Sequence, residues 1–154
     1  MLAERTPQVG AERPATNRDN GCMTRLDWST GPLAEGLRCY RAEEFFLAHE
    51  HWEGVWLEAQ EPEKTFLQAL IQTTAAFHHL QRGNRKGTAS LLRAALRRLA
   101  PYEISFGGVK VGLLREEICA CLQALEEEDA PLPLVSPKIL LEAIPGEADE
   151  RGRI

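Results

Sequence analysis

Phe45-Phe46-Leu47-Ala48-His49-Glu50-His51-Trp52-Glu53-Gly54-Val55-Trp56 sets aromatic residues at helical spacing and interrupts them with a histidine and carboxylates. At 3.6 residues per turn, Ala42, Phe45, His49, Trp52, Glu53 and Trp56 share one side, and Glu43, Glu44, His51 and Glu58 share the other. The spacing predicts a helix over about 43–58 whose apolar face carries His49 and Glu53 as i, i+4 neighbours. Desolvating an unpartnered polar group costs roughly 2–7 kcal/mol, so this pair predicts a buried polar site rather than a plain core.

Outward from this stretch, the pattern stays helical. Glu61-Pro62 ends the first segment, and the next, from about Glu63 to Arg82, carries no Asp, Glu, Lys or Arg between Phe66 and Gln81. A helix without a charged face is expected at the nearly surrounded centre of a bundle. Leu67, Leu70, Ile71, Thr74, Phe77 and His78 form one broad side, and Gln68, Gln72, Ala75 and His79 form a polar stripe. Gly83-Asn84 signals a helix stop, a further helix runs from about Lys86 or Gly87 to Ala100 before Pro101, and a last one spans about Val111 to Glu127. Pro32 suits the first position of a short helix reaching Tyr40. Tyr102 to Lys110 reads as a connector. Tyr40–Trp52 and Leu80–Leu92 echo each other as helix end, tight turn and helix start, in the manner of tetratricopeptide pairs, without that repeat's signature positions. The fold expected is all-α, a compact bundle of four to six helices built from helix-turn-helix pairs with flexible termini.

Length and composition set the outer limits. With 154 residues and 44% hydrophobic content, the chain holds one core. Residues 1–22 have too few apolar side chains to offset ordering and are expected to be a disordered extension, with Met23 an alternative start. The bundle domain is expected over 23–130. A Pro-containing tail follows over 131–154, with Ile139 to Ile144 as a short piece that docks on the bundle. A net charge of -5 opposes broad attraction to nucleic acid or anionic membranes and leaves room only for a local basic patch. Cys22, Cys39, Cys119 and Cys121 have no disulfide or metal-pair spacing. With no run near the ~18 apolar residues of a membrane span, and no signal-peptide core, a cytoplasmic protein is expected.

The chemistry concentrates at His49-Glu50-x-x-Glu53, which is spelled like a zinc-protease helix with a carboxylate in place of the second histidine. A His and a Glu at i, i+4 reach one cation, and a neighbouring carboxylate can deprotonate a bound water. If the next helix turns its polar stripe inward, His79 joins His49 and Glu53 as a third ligand, Glu50 is the candidate base, and Gln68 and Gln72 supply weaker oxygen donors. The cofactor implied is a divalent metal such as zinc, manganese or iron, serving hydrolysis of a small molecule. The alternative is a non-enzymatic interaction module, with a protein partner or a second copy, in which the same residues form a hydrogen-bonded network that locks helix register. Trp52 and Trp56 are expected in the core, His51 in solvent, and His78 in the core or an interface. Arg82, Arg85 and Lys86 are expected to be a solvated helix end.

Phe45-Phe46-Leu47-Ala48-His49-Glu50-x-x-Glu53-x-x-Trp56, then Leu67-Gln68-Ala69-Leu70-Ile71-Gln72, then His78-His79-Leu80-Gln81-Arg82-Gly83-Asn84 together resemble a family of small prokaryotic helical proteins. That family is catalogued as domain of unknown function three hundred and nine, and some of its members carry the label predicted metal-dependent hydrolase. The likeness runs from about Leu33 to Leu99. It implies an all-helical fold with a shared polar centre at His49, Glu50, Glu53, Gln68 and Gln72. His51 departs from the pattern, standing where the family usually has an apolar residue.

Overall fold

A computed structural model describes residues 26–127 and 135–142. Those residues form five helices: α1 (Gly31–Arg41), α2 (Phe45–Glu58), α3 (Glu63–Gln81), α4 (Arg85–Leu99) and α5 (Val111–Glu126). The architecture is the expected bundle of helix pairs, and each helix boundary lies within two residues of its predicted place. The extension expected over 1–22, the alternative start at Met23 and most of the Pro-containing tail lie outside the described residues.

The faint echo in the sequence is a repeated turn. After α1, the Glu44 amide bonds the Cys39 carbonyl at 2.8 Å and the Glu43 amide bonds that of Tyr40 at 3.0 Å. After α3, forty residues later, the Asn84 amide bonds the His79 carbonyl at 2.9 Å and the Gly83 amide bonds that of Leu80, also at 2.9 Å. Both are Schellman closures, which need a left-handed residue just past the helix. Gly83 supplies it with φ 82°, while Glu43 adopts φ 65° with a full side chain. Glu43 and Glu44 therefore sit in the turn and not in the first turn of the helix, which begins at Phe45. In the second copy the Asn84 side chain accepts from the Gly87 amide at 2.8 Å and caps α4.

Close approach at small residues fixes the pairs. In α1, Gly36 lies directly against the indole of Trp52 on α2, and that fully buried ring donates its Nε1 hydrogen to the Leu33 carbonyl at 3.2 Å. Between α2 and α3, the Thr74 hydroxyl donates to the Phe45 carbonyl. Between α3 and α4, the Thr88 hydroxyl lies within hydrogen-bonding distance of the Ala76 and Asn84 carbonyls. Helix α3 is the central element. Phe66, Leu67, Ala69, Leu70, Ala76, Phe77 and Leu80 are all buried on it, so apolar burial from both sides holds a helix that has almost no charge of its own. Buried Val111, Leu114 and Ile118 seat α5, and the Arg115 guanidinium donates to the Leu99 and Tyr102 carbonyls.

The connector over 102–110 differs from expectation. Ser105–Phe106 and Val109–Lys110 pair as antiparallel strands β1 and β2 around Gly107 and Gly108, both with positive φ. Two left-handed residues in succession match the right-handed twist of a tight hairpin, which is why Gly-Gly serves there. The apolar piece of the C-terminal segment docks on this hairpin: Val109 bridges to Leu141, and the Lys110 amide bonds the Leu140 carbonyl at 2.8 Å. Ile139 is 2% exposed, and the Tyr40 hydroxyl donates to the Pro137 carbonyl at 2.5 Å. The segment thus straps the hairpin to α1. No helix of the described residues is long and apolar enough to cross a membrane.

Candidate metal centre

Helix α2 is rolled relative to its sequence-based reading. Its core line is Phe45, Ala48 and Trp52, and His49, Glu53 and Trp56 fall at the half-buried edge. Ala48 in place of His49 against the neighbouring helices permits closer packing, and Trp52 fills the space that remains. The His49 side chain is 29% exposed, that of Glu53 45% and that of Glu50 55%. The polar centre is therefore an open rim and not the buried site the pattern predicted.

The edge nevertheless gathers three donors. His49 Nδ1 lies 3.7 Å from a Glu53 carboxylate oxygen and 4.0 Å from one of Glu50. One donor atom from each residue fits within a mutual distance of 4.8 Å, the grouping that His, Cys, Asp and Glu side chains form among the described residues. The Nδ1 atom is itself shielded from solvent and has no hydrogen-bond partner. An imidazole nitrogen facing two carboxylates is satisfied by donating its own hydrogen to one of them or by a metal ion between them. Donors around one zinc-like ion stand about 3–3.5 Å apart, so the half-exposed carboxylates need only a small rotation to close on one.

The polar stripe of α3 turns elsewhere. Because Thr74 bonds α2 and Thr88 on α4 reaches Ala76, the stripe of Gln68, Gln72, Ala75 and His79 points away from His49. Gln72 accepts from Arg98 Nε on α4 at 3.1 Å, and His79 Nδ1 lies 3.3 Å from the Asn84 side-chain nitrogen. Gln68 is half-buried on the same open side. The imidazole beside the rim is that of His78. Phe46 stacks on His49 with ring centroids 6.3 Å apart and meets His78 at 5.7 Å. Burial, then the charges of Arg82, His79 and His49, push the His78 pKa below its usual value. The sequence pattern assigns His78 to the core or an interface and gives Phe46 no role at the site. Their signal was present in the exposed aromatic next to His49 and in the one-residue offset between His78 and His79. His51 is half-buried, and Trp56 packs at the core margin with the Lys64 ammonium 4.2 Å above its ring.

Residues 33–91 match the model of a family described as Domain of unknown function (DUF309). The match contains α2, its rim and all of α3, so the helical class defined by this fold coincides with it. The chain is similar to that family over this segment, a little over a third of its length. No curated protein matches the chain.

Proposed function

We propose that His49 and Glu53 bind a divalent metal ion on the open rim of α2 with Glu50 as the base beside it, and that the site hydrolyses a small substrate. The observation that carries this reading is His49 Nδ1, shielded from solvent, unpartnered and aimed at two carboxylates. A bound ion would supply Lewis acidity and a water acidified toward neutral pH. His49 and Glu53, one turn apart and less exposed, hold the ligand positions. Glu50, the most exposed of the three, accepts the proton from the attacking water. Phe46 and His78 form the apolar and imidazole wall along one side of the site. Gln72 and His79 stay outside the set, since each has a partner on the α4 side.

A second reading has its own support. Phe46 is 54% exposed, and the rim lies on an open face, which suits a helical interaction module whose polar residues fix a docking partner. Elemental analysis of protein purified without an affinity-metal step, after incubation with zinc, manganese and iron, separates the two. The metal reading expects about one ion per chain in the wild type and loss of it in folded His49→Ala and Glu53→Gln variants. A folded wild type that takes up no ion refutes it.

A further inference from the structure

Away from this rim, two clefts meet beneath the start of α3. One, of about 430 Å³, is walled by Pro62, Tyr102 and Phe106 and edged by Glu61 and Glu103. The other, of about 310 Å³, is lined by Ala94, Arg97 and Arg98. They share Thr65 and Pro101, so the two clefts adjoin along these residues. Both volumes fall in the range of small-ligand sites.

The charges at the two ends are opposed and, among the described residues, form no direct ion pair with each other. Glu61 is fixed at this shared edge by hydrogen bonds from the Thr65 amide at 2.9 Å and the Thr65 hydroxyl at 2.8 Å. Those bonds hold its carboxyl below the usual range, with Lys64 and Arg98 adding to the effect. Among the described residues, Glu61 and Glu103 form no ion pair with Arg97 or Arg98. Arg98 lines the second cleft and is held by its Nε bond to Gln72. The acidic end has an aromatic floor. Tyr102 and Phe106 stand 4.7 Å apart at 63° over buried Phe66, and the Tyr102 hydroxyl is anchored to the Pro62 carbonyl at 2.6 Å. Aromatic faces beside carboxylates favour an alkylated ammonium, which is weakly hydrated and attracted by the ring quadrupole. Two guanidiniums in one cleft suit a multi-oxygen anion such as phosphate.

We propose that the joined clefts bind a small ammonium–phosphate zwitterion, with its cationic end against Tyr102 and Phe106 between Glu61 and Glu103 and its phosphate against Arg97 and Arg98. The distinguishing property is joint recognition. A ligand carrying both groups gains from both ends after a single loss of translational freedom.

Calorimetric titration of the full chain with phosphocholine, choline chloride and inorganic phosphate tests this. Phosphocholine is expected to bind at least tenfold more tightly than either half. Glu103→Gln and Arg97→Gln alter exposed side chains, so the fold is retained. Each is expected to weaken phosphocholine at least threefold, with Glu103→Gln sparing phosphate and Arg97→Gln sparing choline. Equal affinities for the three probes, phosphate binding alone, or variants that bind like wild type would each overturn the proposal. Co-sedimentation with phosphatidylcholine vesicles assigns the source: retention that Arg97→Gln abolishes indicates a lipid headgroup, and soluble binding without retention indicates a free small molecule.

Discussion

Gly36→Ala tests how α1 and α2 are held, because two physical effects of opposite sign act at this position. Alanine is the better helix former by about 0.5–1 kcal/mol, so a position with free space would gain stability. Here the added Cβ would lie 2.2 Å from Trp52 Nε1, 2.4 Å from Cδ1 and 2.8 Å from Cε2, against the 3.4 Å at which ordinary contact begins. The ring cannot retreat cheaply. It is fully buried, meets Trp28 edge-on at 6.2 Å and Tyr40 at 6.0 Å, and donates to Leu33. Overpacking of this kind costs about 1–3 kcal/mol, and a displaced indole forfeits a hydrogen bond of about 1 kcal/mol. Setting the helix-propensity gain against both leaves a net loss of about 1–3 kcal/mol. Urea unfolding followed by circular dichroism measures it. Trp52→Leu removes the obstructing ring at its own cost, so the double variant should lose less than the sum of the singles. A Gly36→Ala protein as stable as wild type, or more stable, refutes the packing argument.

Three further outcomes follow from the turns and the core. Glu43→Gly should raise stability by about 0.5–1 kcal/mol in the same urea assay, because a left-handed non-glycine residue costs roughly 1–2 kcal/mol; a loss would show that the side chain makes a stabilising contact. Asn84→Ala should cost about 1 kcal/mol by removing the cap on Gly87, and a neutral result would argue against the cap. Burial pushes the Cys121 thiol up to about 11, so the folded state resists ionisation that the unfolded chain undergoes near 9. Stability is then intact below pH 9 and falls as pH rises toward 11, and Cys121→Ala should reduce that fall in thermal melts between pH 8 and 11.

The helices were legible because the sequence punctuates them. Pro32, Pro62, Gly83-Asn84 and Pro101 mark ends that the backbone chemistry of those residues enforces. The hairpin over 105–110 was not, since two-residue strands are too short for any periodicity and only Gly107-Gly108 announced the turn. At the candidate site, the identity of the polar residues was legible and their depth was not. Ala48 and His49 flank the Phe45–Trp52 line about 100° apart on the wheel, and only packing against the neighbouring helices decides which one is buried. The orientation of α3 depends likewise on Thr74 and Thr88, whose partners lie on other helices. A stripe of Gln68, Gln72 and His79 can be drawn on a wheel, but tertiary hydrogen bonds turn it toward α4 and leave His78 next to Phe46.

The strap over residues 135–142 has a consequence for how the chain assembles during synthesis. Its bond from Tyr40 to Pro137 spans 97 positions, and the Arg41 guanidinium reaches the Ile139 carbonyl across 98. The first helix pair therefore leaves the ribosome with its Tyr40 end uncovered, and the cover arrives only after almost a hundred further residues have been made. At ~5–20 residues per second that interval is several seconds, long enough for a chaperone or a second nascent chain to meet the exposed end first. The matched family segment ends at residue 91, so the covering piece lies outside it. A tag or fusion placed close behind Glu142 would thus act on the first helix pair through a segment made about a hundred residues later.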